Sequence, residues 1–263
     1  MVAIVNITRD SFSDGGRFIE PEAAIDHAFG LYDAGADLIE LGPASSHPDA
    51  DSVSASVQIE RLAPVLEALS AKGIPVSVDA TDPNVLRFAI GAGAAMLNDV
   101  RGFPDPDLYP TLAVSDARLV IVHSLLEGER AVRTDATPEA VLESIDRFFP
   151  ARLDRLVRAG IREDRLIIDP GMGFFLGNRP DSSLEVLRRL PELGIRFGLP
   201  TLISVSRKSF LRVITGSGME SIGPATLAAE LHAARHGVDY IRTHDVAALR
   251  DALEIERRLG GEP

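Results

Sequence analysis

The sequence predicts an α/β fold, a (β/α)8 TIM barrel, on three observations. Eight short aliphatic runs occur, amphipathic stretches of helical spacing lie between them, and 263 residues is the length that eight such units need. The strand-like runs fall at 2–5, 38–41, 75–78, 95–97, 119–122, 166–168, 201–205 and 240–241. Helical spacing is clearest at 21–34, 57–69, 83–91, 138–159, 183–193 and 224–236. Asp82-Pro83 and Thr137-Pro138-Glu139 each set a capping residue ahead of a proline in the first turn. Gly35, Gly73, Gly93, Gly160 and Gly237 each follow a helical stretch and precede a strand, where a left-handed stop is expected. The rival is a doubly wound open sheet, which announces itself with a glycine-rich phosphate turn after the first strand. Val5-Asn6-Ile7-Thr8-Arg9-Asp10 is not such a turn. With no linker, low-complexity tract, charge block or internal repeat, residues 1–263 read as one barrel domain.

Composition narrows the function. A net charge of −12 argues against nonspecific binding of nucleic acid or anionic membrane. An anionic substrate would therefore need cations placed locally. Of the 27 basic residues only Lys72 and Lys208 are lysines, so a lysine inside a motif stands out from the background. The absence of cysteine removes disulfides, thiolate nucleophiles and cysteine zinc sites from consideration. No apolar run approaches the ~20 residues that cross a bilayer, and the opening Met1-Val2-Ala3-Ile4-Val5-Asn6 lacks the features of a secretory signal. A cytoplasmic location is expected.

Position carries the functional reading. Most aliphatic runs end in polar residues that a core strand does not need: Asn6, Asp79, Asn98, His123, Asp169, Ser206-Arg207-Lys208 and Arg242-Thr243-His244. Any one of them reads equally well as a helix cap. In a barrel, however, the C-terminal strand ends converge on one face, so residues remote in sequence would line a single mouth. Asp79, Asn98 and Asp169 suit a flat heterocycle presenting adjacent N–H donors, with Asn98 able both to donate and to accept. A divalent cation is the lesser alternative, since hard-metal sites gather carboxylates more densely. Lys208 is open to three readings: a Schiff-base nucleophile as in an aldolase, a snorkelling surface charge, or a donor to a ring carbonyl or nitrogen. Arg242 and His244 alternate along the last strand, so both can enter the mouth as an anion clamp; the alternative is a surface pair of Arg242 with Asp245.

These residues sit in segments that resemble dihydropteroate synthases. The first is Val5-Asn6-Ile7-Thr8-Arg9-Asp10-Ser11-Phe12-Ser13-Asp14-Gly15-Gly16. It is followed by Ser77-Val78-Asp79, Leu97-Asn98-Asp99-Val100, Asp169-Pro170-Gly171-Met172-Gly173-Phe174, Ser206-Arg207-Lys208-Ser209 and Arg242-Thr243-His244-Asp245. Six segments in the family's order and spacing, from first strand to last, are highly specific. The resemblance implies condensation of 6-hydroxymethyl-7,8-dihydropterin diphosphate with 4-aminobenzoate, releasing diphosphate and giving 7,8-dihydropteroate in folate biosynthesis. Asp79, Asn98, Asp169, Lys208 and Phe174 would hold the pterin. Ser209, Ser46, Phe174 and Phe175 would meet the aminobenzoate. Asn6 would ligate Mg2+ on the diphosphate, with Arg242 and His244 gripping that group. Asp10, in the first loop, joins Lys208, Arg242 and His244 among the residues the resemblance makes catalytic. It also implies a homodimer. A methyltetrahydrofolate-binding methyltransferase is the alternative within pterin chemistry and has no need of the Lys208-Ser209 and Arg242–His244 anion set; a non-catalytic pterin-binding barrel is the alternative from another class and is separated by diphosphate release.

Two departures point to a subgroup. The second loop reads Gly42-Pro43-Ala44-Ser45-Ser46-His47-Pro48 where housekeeping enzymes carry Gly-Gly-Glu-Ser-Thr-Arg-Pro, which puts the role of His47 in doubt. The segment Gly173-Phe174-Phe175-Leu176-Gly177 is bulkier than usual and lacks a lysine. With Pro224-Ala225-Thr226-Leu227-Ala228-Ala229-Glu230-Leu231, both resemble the acquired, sulfonamide-resistant (Sul-type) enzymes. The expectation is that Phe174-Phe175 narrows the aminobenzoate pocket against the bulkier drug.

Overall fold

The computed structural model describes residues 1–8, 21–45, 51–125 and 135–260. Among these residues eight strands are present: β1 (Val2–Asn6), β2 (Leu38–Gly42), β3 (Val76–Asp79), β4 (Met96–Asp99), β5 (Arg118–Val122), β6 (Leu166–Asp169), β7 (Leu202–Ile203) and β8 (Tyr240–Thr243). The helices α1 (Pro21–Asp33), α2 (Ala55–Ala71), α3 (Pro83–Gly91), α4 (Tyr109–Val114) and α5 (Pro138–Arg158) alternate with the first five strands and lead into β6. The remainder are α6 (Pro180–Arg188), α7 (Leu190–Phe197), α8 (Ser209–Thr215), α9 (Gly223–Arg235) and α10 (Val246–Arg258).

All strand pairings are parallel, in the order β6-β5-β4-β3-β2-β1-β8-β7. The free edges meet through a parallel bridge between Ile168 and Thr201, beside an Ile168 N–H donating to Pro200 O at 2.9 Å. The sheet is thus a barrel and not the doubly wound alternative. Successive side chains alternate between its two sides. Ala3, Val5, Ile39, Leu41, Val76, Val78 and Leu97 belong to the large core shared with the helices. Val2, Leu38, Met96, Val120, Ile167 and Leu202 form a separate apolar cluster inside the barrel, its floor. Two residues further along, the same parity turns Glu40, Asn98, Asp169, Ser204 and Arg242 inward. The site is built on that second storey.

Several elements differ from expectation for physical reasons. The helix expected at 183–193 is two, because Pro191 lies in the first turn of α7 and has no N–H to continue the ladder. The Leu187 carbonyl four residues earlier instead meets His232 Nε2 at 3.2 Å. The seventh strand pairs only over Leu202–Ile203, and the chain then bends through Arg207 at φ 58°. Helices α4, α8 and α10 fill places where the barrel needs helices after β4, β7 and β8. Asp245, weighed as a surface partner for Arg242, caps α10 by accepting the Ala248 N–H at 3.1 Å. No helix among the described residues is long and apolar enough to cross a membrane.

Candidate active site

Asp79 closes β3 beside Asn98 of β4, the two in register, and Asp169 closes β6 opposite Val122. Lys208 immediately precedes α8, its N–H bonded to Val205 O at 3.1 Å. One cavity with an empty volume of about 340 Å3 is lined by all four, together with Val122, Met172, Phe175, Ser204 and Arg242. Apolar walls with a few convergent polar groups are the usual make-up of small-molecule sites. The four residues expected around one ring therefore do meet at one cavity.

Beneath them lies a residue that the strand-end reading missed. Glu40, in the middle of β2, is fully buried and accepts from three directions. Its Oε2 receives Ser77 Oγ at 3.1 Å and Asn98 Nδ2 at 3.2 Å, and its Oε1 receives Arg242 Nε. Arg242 also donates from Nη2 to Asp79 at 3.0 Å and lies 3.5 Å from Ser204 Oγ. The guanidinium thus bridges two carboxylates deep in the mouth, where an unpaired charge would cost several kcal/mol. Asn98 has its amide N–H on Glu40, while its Oδ1 is buried without a partner among the described residues. The sequence signal for Glu40 was an acidic residue at an inward position of an otherwise aliphatic strand.

The electrostatics follow from burial. Desolvation raises Asp79 to about 6 against the pull of Arg242, with Glu40 adding to the rise. Asp169 is raised to about 6 by the same cause, although its Oδ1 accepts the Gly171 N–H at 2.8 Å. Lys208 is lowered to about 8 by burial and by the neighbouring Arg242. Its Nζ stands 4.7 Å from the centroid of the Phe175 ring, a cation–π contact. Gly171 takes φ +80°, and a Cβ there would stand 2.4 Å from His123 O, so the turn after β6 needs glycine. Gly173, at φ +64°, lets the following 3-10 turn (Gly173–Leu176) lie against the Lys208 stem.

The other expected residues divide. His244 points its Nδ1 at Ser206 Oγ, 2.9 Å away, and burial together with Arg207, Arg242 and Lys208 lowers it well below its ordinary range. It is a neutral group here, not a second cation. Asn6 is half-buried at the end of β1, and Gly42 opposite leaves room for its Oδ1, which a Cβ would approach to 3.1 Å. Ser209 opens α8, with its Oγ near Gly173. Phe174 is half-buried in the 3-10 turn, beside the cavity-lining Phe175. His123 is not in the mouth. Its ring sits on the outer face of the barrel, bonded to Pro170 O at 3.1 Å and Ser144 Oγ at 3.0 Å among Phe148 and Phe149. Burial lowers it to about 4, as for a neutral core histidine. Asp10, Ser46 and His47 lie outside the described residues. Among the described residues no three His, Cys, Asp or Glu side chains converge as a metal cage.

A barrel whose mouth gathers carboxylates, an amide oxygen and one lysine around one cavity has the polarity to receive a donor-rich heterocycle. The family described as "Pterin binding enzyme" matches residues 2–244. A dihydropteroate synthase type-2 of Escherichia coli is 56% identical over 252 residues, covering 96% of this chain and 93% of the relative. Among solved structures, dihydropteroate synthase from Yersinia pestis in a sulfonamide drug complex superposes with TM-score 0.90 at 31% identity, covering 98% and 93% of the two chains. The Xanthomonas albilineans enzyme with 4-aminobenzoic acid gives TM-score 0.88 at 37% identity, covering 100% and 93%. The chain belongs to the pterin-binding enzyme family and, within it, to the dihydropteroate synthases, which are transferases.

Proposed function

We propose that this enzyme joins 6-hydroxymethyl-7,8-dihydropterin diphosphate to 4-aminobenzoate with loss of diphosphate, and that it does so in the presence of sulfonamides. The observation that carries the first part is the single cavity holding Asp79, Asn98, Asp169, Lys208 and Arg242. Three acceptor positions and one ammonium donor complement a 2-amino-4-oxo ring edge, whose N–H groups and ring oxygen have the matching polarity. In this reading Asp79, Asn98 and Asp169 take the ring N–H groups and Lys208 donates to a ring acceptor. His244, bonded through Nδ1 to Ser206, keeps Nε2 for the departing diphosphate, and Arg242 supplies positive potential from below. Ser209 and the Phe174–Phe175 turn flank the aminobenzoate, a ligand bound by the Xanthomonas albilineans relative. No strong general base is required, because departure of diphosphate precedes attack by the amine; catalysis rests on positioning and on stabilising the leaving charge.

The site fits Mg2+ as an ion that arrives with the substrate. Asn6 at the rim carries a hard oxygen donor, Oδ1, beside Gly42, and diphosphate oxygens would complete a shell that the described protein residues do not. When bound, the ion would neutralise developing charge on the leaving diphosphate.

The sulfonamide reading is supported by the Phe175 ring, which packs against Lys208, on a backbone held by a Leu125 N–H donating to Phe175 O at 2.8 Å. A rigid aromatic wall admits a planar carboxylate and meets the bulkier, tetrahedral sulfonyl group, a discrimination of roughly 1–3 kcal/mol by sterics. The test is condensation of the two substrates with and without Mg2+, repeated with sulfamethoxazole. Product with both substrates and Mg2+, persisting in drug, is expected. No diphosphate release would remove the reaction, and ordinary drug sensitivity would remove the resistance. Homodimerisation, expected from the family, is tested by sedimentation.

A further inference from the structure

We infer that Glu40 is a positioning residue that sets the hydrogen-bond polarity of the ring site by acting through Asn98 and Arg242. The inference rests on the pterin reading of the cavity. A primary amide can turn either its oxygen or its NH2 toward a ligand, and the two choices recognise opposite ring edges. In this barrel the choice is made from below. Glu40 Oε2 has only lone pairs to offer, already receives Ser77 Oγ at 3.1 Å, and takes Asn98 Nδ2 at 3.2 Å. Asn98 Oδ1 is thereby left buried with no partner among the described residues, on a residue that lines the cavity. An orphaned buried acceptor is unfavourable until a donor arrives, so the site is tuned for a ring N–H at that point.

The other carboxylate oxygen works on Arg242. Oε1 holds Nε, so the guanidinium fork reaches Asp79 with Nη2 at 3.0 Å. Asp79 is thus tied through one oxygen and fixed in place. Asn98 and Asp79 face each other across the β3–β4 register, so one buried carboxylate orients two neighbouring recognition groups. Glu40 itself is fully buried and does not line the cavity, which is what separates it from the residues that touch the ring.

The test uses the full-length protein, 6-hydroxymethylpterin as the calorimetric probe, and steady-state KM values for both substrates. Glu40→Gln keeps the volume but gives Asn98 a neighbour that can donate to its Oδ1. The expected result is a rise of at least tenfold in the pterin Kd, with the aminobenzoate KM changed by less than twofold. The exchange variant Glu40→Gln with Asn98→Asp restores an amide-to-carboxylate bond of reversed direction and again leaves an acceptor facing the cavity. It should recover most of the lost pterin affinity, which a purely structural role for Glu40 would not allow. Where Glu40→Gln does not fold, Glu40→Asp is read instead: a three- to tenfold loss of pterin affinity supports the inference. Wild-type pterin affinity in the folded Glu40→Gln or Glu40→Asp variant overturns it, as does an exchange variant no better than Glu40→Gln alone. If the unmodified protein does not bind the probe, the pterin reading itself has failed.

Discussion

Glu230 permits a quantitative test of how the barrel and its helices are coupled. The residue lies in α9, is 1% exposed, and its Oε1 has no hydrogen-bond partner among the described residues. Burial raises its carboxyl from the ordinary 4.5 to about 7, although a bond from Thr243 favours the charged form. Thr243 sits between Arg242 and His244, and its Oγ1 also accepts the Asp245 N–H at 3.1 Å, so this carboxyl ties α9 to the strand end that carries the anion set. The sign is that of an acid held back from ionising. Below pH 4.5 both folded and unfolded chains are protonated and the full stability is present. As pH rises toward 7 the unfolded chain releases its proton first, and stability falls. Between pH 5 and pH 8 this one group removes about 2–3 kcal/mol. Glu230→Gln abolishes the titration whatever constant offset it introduces. Urea unfolding at pH 5 and pH 8, at fixed ionic strength, should show the wild type losing about 2–3 kcal/mol more than the variant across that interval. Equal losses in the two proteins would refute the burial argument.

Other consequences can be checked in the same preparations. Gly171→Ala should lower stability by about 3 kcal/mol or more and raise the pterin KM, because φ +80° strains any side chain and the new Cβ meets His123 O, displacing the N–H that Asp169 accepts; an unchanged Tm would contradict it. Arg165→Met should cost about 2–4 kcal/mol, since the guanidinium serves Ala117 O, Leu112 O and Ser115 Oγ at the base of β5; chemical denaturation reads it directly. Asp245→Ala removes the cap of α10 and should cost about 1 kcal/mol in the same measurement with little change in activity.

What could be read from the chain alone depended on parity. Residues two apart on a strand share a face, so once Met96, Ile167 and Val2 are assigned to the barrel interior, Asn98, Asp169 and Asn6 follow. The same rule places His123 outside, one step beyond inward Val122. Glu40 was hidden because its polar partners come from β3, β4 and β8, and a lone acidic residue in a short aliphatic run gives no sign of them. The break between α6 and α7 was masked by apolar spacing that continues through Leu190 and Leu193, while Pro191 marks the stop. Arg242 was legible as an inward cation but not as one already held by two carboxylates, since that requires the barrel to close.

The closure itself has a consequence for ligand binding. Neighbouring strands elsewhere share two to five register pairs, whereas β6 and β7 meet at the single Ile168–Thr201 bridge. That seam is where the cylinder has least to hold it shut, and Asp169 and Lys208 stand on its two lips. Any molecule gripping both works as a staple across the weakest join. Occupancy should therefore slow amide exchange along 166–169 and 201–205 more than anywhere else in the sheet.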